Sequence, residues 1–61
     1  MHEEPVYTAQ EVAALLRVHI KTVRRWIASG ELVAMDIGKG YRIRKSNLDA
    51  FIRKREQQHQ Q

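Results

Sequence analysis

The hydrophobic positions along this chain recur with the spacing of a helix, then with that of a strand, and finally with that of a helix again. The first apolar residues with a helical spacing stand at positions i, i+3 and i+4; they are Val12, Leu15 and Leu16. This spacing places side chains on one face of an α-helix. Thr8 and Glu11 have the spacing of a capping box, in which each side chain accepts a hydrogen bond from the other's backbone N–H. The pattern predicts a first helix over residues 9–17.

A second helical pattern follows after the two-residue turn Val18-His19. Its apolar residues fall within one arc of about 120° on a helical wheel; they are Ile20, Val23, Trp26 and Ile27. His19 stands at the N-cap, where Ser, Asn or Asp would be stronger, and Gly30 stands where a left-handed residue usually ends a helix. Two short helices joined by so short a turn must cross steeply, which is the geometry of a helix-turn-helix unit.

From residue 32 to residue 44 the hydrophobic period changes to two, which predicts a β-hairpin around Gly38-Lys39-Gly40. A three-residue loop ending in a left-handed glycine is a favoured closure. The register that follows places Ile37 opposite Tyr41, Met35 opposite Ile43 and Asp36 opposite Arg42. Apolar pairs would then lie on one face of the hairpin and a charge pair on the other.

A third apolar stripe with helical spacing lies near the C-terminus and consists of Leu48, Phe51 and Ile52. The run 46–49 predicts a second capping box, with Asp49 in place of Glu, and the helix is expected to end near Arg55. We expect a flexible leader over residues 1–6, which Pro5 keeps from being helical, one domain over residues 7–55, and a disordered tail over residues 56–61. Three aromatic residues are predicted in the core or at its edge: Trp26, Phe51 and Tyr41.

The 61-residue composition excludes several classes of protein. There is no cysteine, and His2, His19 and His59 lie too far apart for a metal site, so we expect no metal and no cofactor. The chain has no paired-carboxylate pattern and no phosphate-binding loop, and it is too short to enclose a substrate pocket, so we expect no enzyme and no small-molecule substrate. No apolar run could span a membrane and no signal-peptide core follows Met1. A cytoplasmic, nucleoid-associated protein is expected.

The net charge of +4 is unevenly distributed, because residues 17–45 contain eight basic and two acidic residues. On the second helix, Lys21 and Arg25 lie opposite the apolar arc, while Arg24 and Thr22 border it. Like charges at i and i+4 destabilise a helix, and a cation in the first turn opposes the helix dipole. These features favour an external polyanion, above all double-stranded DNA. The alternative is an ordinary solvated basic face.

If the second helix enters a major groove, Arg25 and Lys21 project centrally and are predicted to read bases, while Arg24 and Thr22 contact the backbone. The docking tilt could exchange the roles of Arg24 and Arg25. Lys39 at the glycine-flanked tip suits a phosphate, and the alternative is a solvated turn lysine. The remaining candidates are Arg42 on the hairpin and, more weakly, Thr8, Arg17, His19, Arg44 and Lys45. The basic run 53–55 either complements the dipole at a helix C-terminus, which is the preferred interpretation, or adds further contacts to DNA.

The predicted order of elements is that of a mainly α winged helix-turn-helix fold: a helix, a tight turn, a basic helix, a two-stranded hairpin and a C-terminal helix. Four runs carry a family pattern: TAQEVAALL (8–16), TVRRWI (22–27), SGEL (29–32) and IGKGYRI (37–43). In these runs the chain resembles the excisionase family and is similar to the DNA-binding domain of MerR-type regulators. The resemblance implies a recognition helix that carries Lys21, Thr22, Arg24 and Arg25 in the major groove. It also implies that Trp26 is buried and that Lys39 reaches phosphates or the adjacent minor groove.

Two positions depart from the family pattern. His19 replaces the usual small hydroxyl cap, and Asp36 stands on the wing where relatives tend to be basic. If Asp36 pairs with Arg42, less of the Arg42 charge remains for DNA.

Three functions are compatible with these features. The first is an excisionase that bends DNA at tandem sites and assists an integrase, with neighbouring copies of itself as further partners. The second is a small transcriptional regulator. The third is an adaptor whose basic face binds an acidic protein. MerR-type regulators dimerise through a long coiled coil, and residues 54–61 carry no apolar heptad, which favours monomers bound side by side.

Overall fold

The structure is a computed structural model that describes the backbone of residues 4–59 and the side chains of residues 4–58. Its elements are β1 (Val6–Thr8), α1 (Ala9–Leu16), α2 (Ile20–Ser29), β2 (Met35–Asp36), β3 (Tyr41–Arg44) and α3 (Lys45–His59). The strands form one antiparallel sheet in the order β1-β3-β2. The predicted mainly α fold is confirmed, with a helix-turn-helix unit followed by a wing. The sheet has one strand more than predicted.

Helix α1 begins as the capping box predicts. The Thr8 hydroxyl accepts a hydrogen bond from the Glu11 N–H at 3.0 Å, and the Glu11 carboxylate accepts one from the Thr8 N–H at 2.8 Å. Arg17 ends the helix in the left-handed region, at φ 57°. The predicted apolar stripe is confirmed at Val12, which is fully buried, and at Leu16, which packs against the core, but it is wrong at Leu15, which is 59% exposed while Ala13 is buried. The small alanine allows α1 to approach the core closely, and this rotates Leu15 out.

Helix α2 has the predicted bounds. The Nδ1 atom of His19 accepts a hydrogen bond from the Lys21 N–H at 3.1 Å, so His19 is the N-cap. Gly30 ends the helix in the left-handed region at φ 86°, a conformation that a side chain would strain. The predicted apolar face is confirmed, since Val23 is fully buried and its neighbours Ile20, Trp26 and Ile27 pack against the core.

Strand β1 was not predicted. It contains Val6, which the sequence pattern placed in a flexible leader, and it pairs with β3 so that Tyr7 lies opposite Ile43. A three-residue strand is too short to produce a detectable alternation in sequence. Because β1 pairs with one edge of β3 and β2 with the other, β3 is the central strand, and its Ile43 is fully buried.

The predicted wing register is wrong by one residue. Met35 lies opposite Arg42, and Asp36 lies opposite Tyr41. The reason is local: the Asp36 carboxylate accepts a hydrogen bond from the Gly38 N–H at 3.0 Å, and the Ile37 N–H donates to the Gly40 carbonyl at 3.3 Å.

Asp36 therefore closes the turn and does not lie opposite Arg42 as predicted. Ile37 and Tyr41 do not form the predicted apolar pair, because Tyr41 lies opposite Asp36. The two side chains are 52% and 37% exposed. Tyr41 is not part of the core.

Helix α3 lacks the predicted capping box. The Ser46 N–H donates to the Glu4 carboxylate at 2.7 Å, the Lys45 N–H donates to the Pro5 carbonyl at 2.9 Å, and Asp49 instead pairs with Lys45. The hydrogen bond from the Ser46 backbone lowers the pKa of Glu4 below its ordinary value of 4.5. Residues before β1 thus satisfy donors at the start of α3, since β1 and β3 run side by side.

The two chain ends differ from prediction in further respects. Residues 4–6 of the predicted leader are held by these contacts and by β1, and residues 1–3 lie outside the described residues. The predicted tail is helical as far as His59, four residues past the expected end at Arg55, and residues 60 and 61 again lie outside the described residues.

The core lies between the three helices and β3. Its buried residues are Val12, Ala13, Val23, Leu32, Ile43, Leu48 and Phe51. Trp26 is half-buried at the edge of this core, and its ring centroid lies 4.8 Å from that of Phe51. Both predictions for these two rings are confirmed. Within the described residues, no helix is long and apolar enough to cross a membrane.

Candidate nucleic-acid interface

The exposed face of α2 carries three cations. Lys21, Arg24 and Arg25 are all exposed, and the first turn of the helix contains no acidic residue. Among the side chains of residues 4–58, none of the three forms an ion pair. The opposite face is anchored by Val23, which is fully buried. The core thus holds α2 with its positive charge directed outward, as the sequence pattern predicts.

A groove of about 530 Å³ separates α2 from the wing. It is lined by Thr8, Ala9, Gln10, Ile20, Arg24, Lys39, Gly40, Tyr41 and Arg42. Four of the candidates from the sequence meet here, although they come from three separate segments of the chain. Among the described residues, no carboxylate lines the groove. Its chemistry therefore suits an anion such as a phosphate group.

The wing tip is shaped by two glycines in the left-handed region. Gly38 has φ 87° and Gly40 has φ 106°, where a β-carbon would strain the backbone. Together with the hydrogen bond from the Gly38 N–H to Asp36, they present the exposed Lys39 at the tip. The guanidinium of Arg42 is held beside the wing, since its Nη1 donates to the Tyr41 carbonyl at 3.1 Å.

The other sequence candidates lie outside the lining of this groove. Thr22 is half-buried near the start of α2, and Arg17 is exposed at the end of α1. The Nδ1 atom of His19 is occupied by its capping hydrogen bond, so only its Nε2 could make an outside contact.

Lys45 differs from the other basic candidates because it has a partner. Its Nζ lies 2.7 Å from the Asp49 carboxylate, and this hydrogen bond raises the pKa of Lys45 above its ordinary value of 10.5. Gln10 and Tyr41 line the groove and were not predicted as site residues. No periodicity or charge signal marked them; only the fold places them there.

Comparison with protein-family models identifies the class. The chain matches the model of the helix-turn-helix domain over residues 6–56, which is most of its length, and it therefore belongs to this family. The match does not separate excisionases from MerR-type regulators. A search of curated proteins and a search of solved structures found no match.

Family membership defines the roles of the helices. In a helix-turn-helix unit the second helix is the recognition helix and lies in the major groove of DNA. In this chain that helix is α2, the one with the exposed cationic face. DNA is the partner that the family indicates, and such domains are typically not enzymes.

Proposed function

We propose that this protein is a sequence-specific double-stranded DNA-binding protein that inserts α2 into the major groove and receives one phosphate backbone in the groove between α2 and the wing. The observation that carries this proposal is the convergence of Arg24, Lys39 and Arg42 on a groove that no carboxylate of residues 4–58 lines. That groove lies beside the exposed cations of α2. A helix in the major groove has a phosphate backbone on each side, so the wing then lies across one of them.

Within this arrangement, Lys21 and Arg25 read bases. They stand at i and i+4 on the exposed side of α2, outside the groove lining. Arginine reads guanine through a bidentate contact to O6 and N7. We assign Arg25 the main base contact and Lys21 a second one.

The residues that line the groove hold the phosphate backbone. Arg24 and Arg42 offer planar guanidinium groups that match phosphate oxygens, and Lys39 offers a compact charge at the exposed tip. The Thr8 hydroxyl accepts from the Glu11 N–H and keeps its own proton for a phosphate. Thr22, Arg17, His19 and Lys45 make weaker backbone contacts at the edges.

The biological role that we propose is that of an excisionase, which binds tandem sites, bends DNA and assists an integrase. Two features support it: the motifs that resemble excisionases, and residues 53–58 of α3, which carry no apolar side chain and so offer no coiled-coil seam. A small transcriptional regulator on the same fold is the second candidate, supported by the MerR-like motifs.

Titration of duplex DNA at several salt concentrations tests the DNA-binding proposal. Neutralising about five phosphates gives a slope of log K against log salt near −4 to −5. In parallel, the backbone amide signals of residues 21–25 shift on addition of a duplex. Salt-independent binding, or undisturbed amides at low ionic strength, would contradict the proposal and favour a basic adaptor. The gene neighbourhood separates the excisionase from the regulator: an adjacent integrase gene whose product needs this protein in a reconstituted excision assay supports the excisionase, and an adjacent operon that it controls supports the regulator.

A further inference from the structure

The last turn of α2 is held by a group of side chains that the DNA interface does not use. We call it the Arg55 cluster; it consists of Trp26, Ser29, Glu31, Phe51 and Arg55. The Nη2 atom of Arg55 lies 2.6 Å from the Glu31 carboxylate. The guanidinium carbon of Arg55 lies 5.0 Å from the Trp26 ring centroid and 5.1 Å from that of Phe51. One side chain of α3 therefore contacts both α2 and the segment that follows it.

The partner carboxylate is itself tied to the end of α2. The second oxygen of Glu31 lies 2.8 Å from the Ser29 hydroxyl, which also lies 3.1 Å from the Trp26 carbonyl. The Leu32 N–H donates to the same carbonyl at 3.1 Å. A movement of α2 relative to α3 would therefore disturb the ion pair and the aromatic contacts together.

This contact matters because side chains, and not closely approaching backbones, join α2 to α3. The backbone of α2 runs close to that of α1, and no comparably close backbone contact joins α2 to α3 in the described residues. The two helices meet through side chains, with Trp26 against Phe51 and Arg55 over both rings. Arginine suits this position because its planar group can stack on rings and pair with a carboxylate simultaneously.

We propose that the Arg55 cluster sets the orientation of the recognition helix, so that Arg55 is a positioning residue for base reading and not a DNA contact. The inference rests on the proposed function of α2. Trp26 directly follows Arg25 in the chain, so a tilt at Trp26 displaces the base-reading guanidinium. Bidentate base contacts tolerate displacements of only about 0.5 Å, whereas phosphate contacts by long side chains tolerate more.

The central test compares Arg55→Gln with Arg53→Gln. Both variants remove one positive charge from α3, but Arg53 is exposed and forms no ion pair among the described side chains. Affinities for a selected duplex and for a random duplex are measured at several salt concentrations, at a temperature where circular dichroism shows every variant folded. Arg55→Gln lowers the affinity for the selected duplex about fivefold to tenfold. Its affinity for the random duplex and its salt slope stay close to those of the wild type.

Glu31→Gln separates positioning from simple electrostatics. This variant makes the protein more positive, so charge alone would tighten binding to every duplex. Loss of the ion pair to Arg55 instead lowers the preference for the selected duplex in the same direction as Arg55→Gln. A folded protein with a merely weakened core would keep its ratio of specific to non-specific affinity.

Fluorescence gives a readout that needs no DNA, because Trp26 is the only tryptophan. Arg55→Gln shifts its emission and increases its quenching by acrylamide, and Arg53→Gln changes neither. Unchanged emission in Arg55→Gln would show that Arg55 does not contact Trp26 and would contradict the proposed Arg55 cluster. Equal specificity ratios in the two variants, or tighter binding of both duplexes by Glu31→Gln, would overturn the positioning role. Absence of salt-dependent DNA binding by the wild type would instead overturn the proposed function.

Discussion

Helices α2 and α3 both carry several basic residues, and the structure surrounds them differently. In α3, Lys45 pairs with Asp49, and Arg55 pairs with Glu31 and lies over two aromatic rings. In α2, Lys21, Arg24 and Arg25 have no carboxylate partner among the described side chains. Pairing explains only part of the difference, because Arg53 and Lys54 of α3 also have no carboxylate partner among the described side chains. The second part of the difference is position: Arg24 of α2 lines the groove with Lys39 and Arg42, whereas Arg53 and Lys54 do not line it. An unpaired cation can bind an outside anion, and on α2 such cations lie on or beside this groove.

The strongest test of this contrast is Arg25→Ala against Arg53→Ala. Each variant removes one exposed arginine from one of the two helices. Loss of a bidentate base contact costs about 1–3 kcal/mol, or roughly 5- to 150-fold in affinity for the selected duplex, and it relaxes the sequence preference. Arg53→Ala changes this affinity by no more than about twofold. Competition binding against single-base variants of the site measures both effects, and equal losses would remove the contrast.

A smaller effect is expected at the wing. Lys39→Ala weakens binding to all duplexes by a similar factor, because a phosphate contact carries no sequence information. The slope of log K against log salt becomes less steep by about 0.9. Anisotropy titrations at four salt concentrations measure this slope. A change in sequence preference with an unchanged slope would show that Lys39 reads bases.

The start of α3 should respond to acid through Glu4. Because the pKa of Glu4 is lowered in the folded state, ionised Glu4 adds stability above pH 4.5, and this contribution is lost as the pH falls through the lower folded pKa. Glu4→Gln therefore lowers the Tm by a few degrees at pH 7. Thermal unfolding at pH 7 and at a series of acidic pH values checks this, since the difference in Tm between the wild type and the variant should shrink as the pH falls. A constant difference would mean that the carboxylate charge is not involved.

The smallest effect is expected for the exposed pair Lys45–Asp49, whose atoms lie 2.7 Å apart. Solvent screens this pair and both side chains lose rotamer freedom in forming it, so Asp49→Asn changes the Tm by less than about 2 °C. The variant also releases Lys45 as a cation. If it strengthens DNA binding and steepens the salt slope, Lys45 is close enough to reach the backbone.

Much of the helix-turn-helix unit could be predicted because its signals act over a few residues. The Thr8–Glu11 capping box and the glycine at position 30 define helix ends through hydrogen bonds and backbone preferences within one turn. The apolar spacing of α2 identifies both its buried face and its cationic face. Leu15 shows where prediction from apolar spacing fails. Its position fits the apolar stripe of α1, yet Leu15 is exposed and Ala13, two residues earlier, is buried.

Predictions failed where partners come from distant parts of the chain. Strand β1 exists because β3 pairs with it, and the first turn of α3 donates to Glu4, which precedes the donor Ser46 by 42 residues. The wing register depends on the hydrogen bond from the Gly38 N–H to the Asp36 carboxylate. The sequence alone does not show that Asp36 accepts this hydrogen bond and does not lie opposite Arg42.

By itself, the amino-acid sequence determined the type and order of the helices, the hairpin with its glycine tip, and a cationic helix face without its own counter-charge. Only the tertiary structure decided which basic residues share a groove and which are neutralised by carboxylates elsewhere in the chain. The physical reason is the separation along the chain over which each kind of interaction acts. Helix periodicity and capping arise from neighbours along the chain, whereas a groove that unites Arg24 with Lys39 and Arg42 arises from packing between segments that the sequence keeps apart.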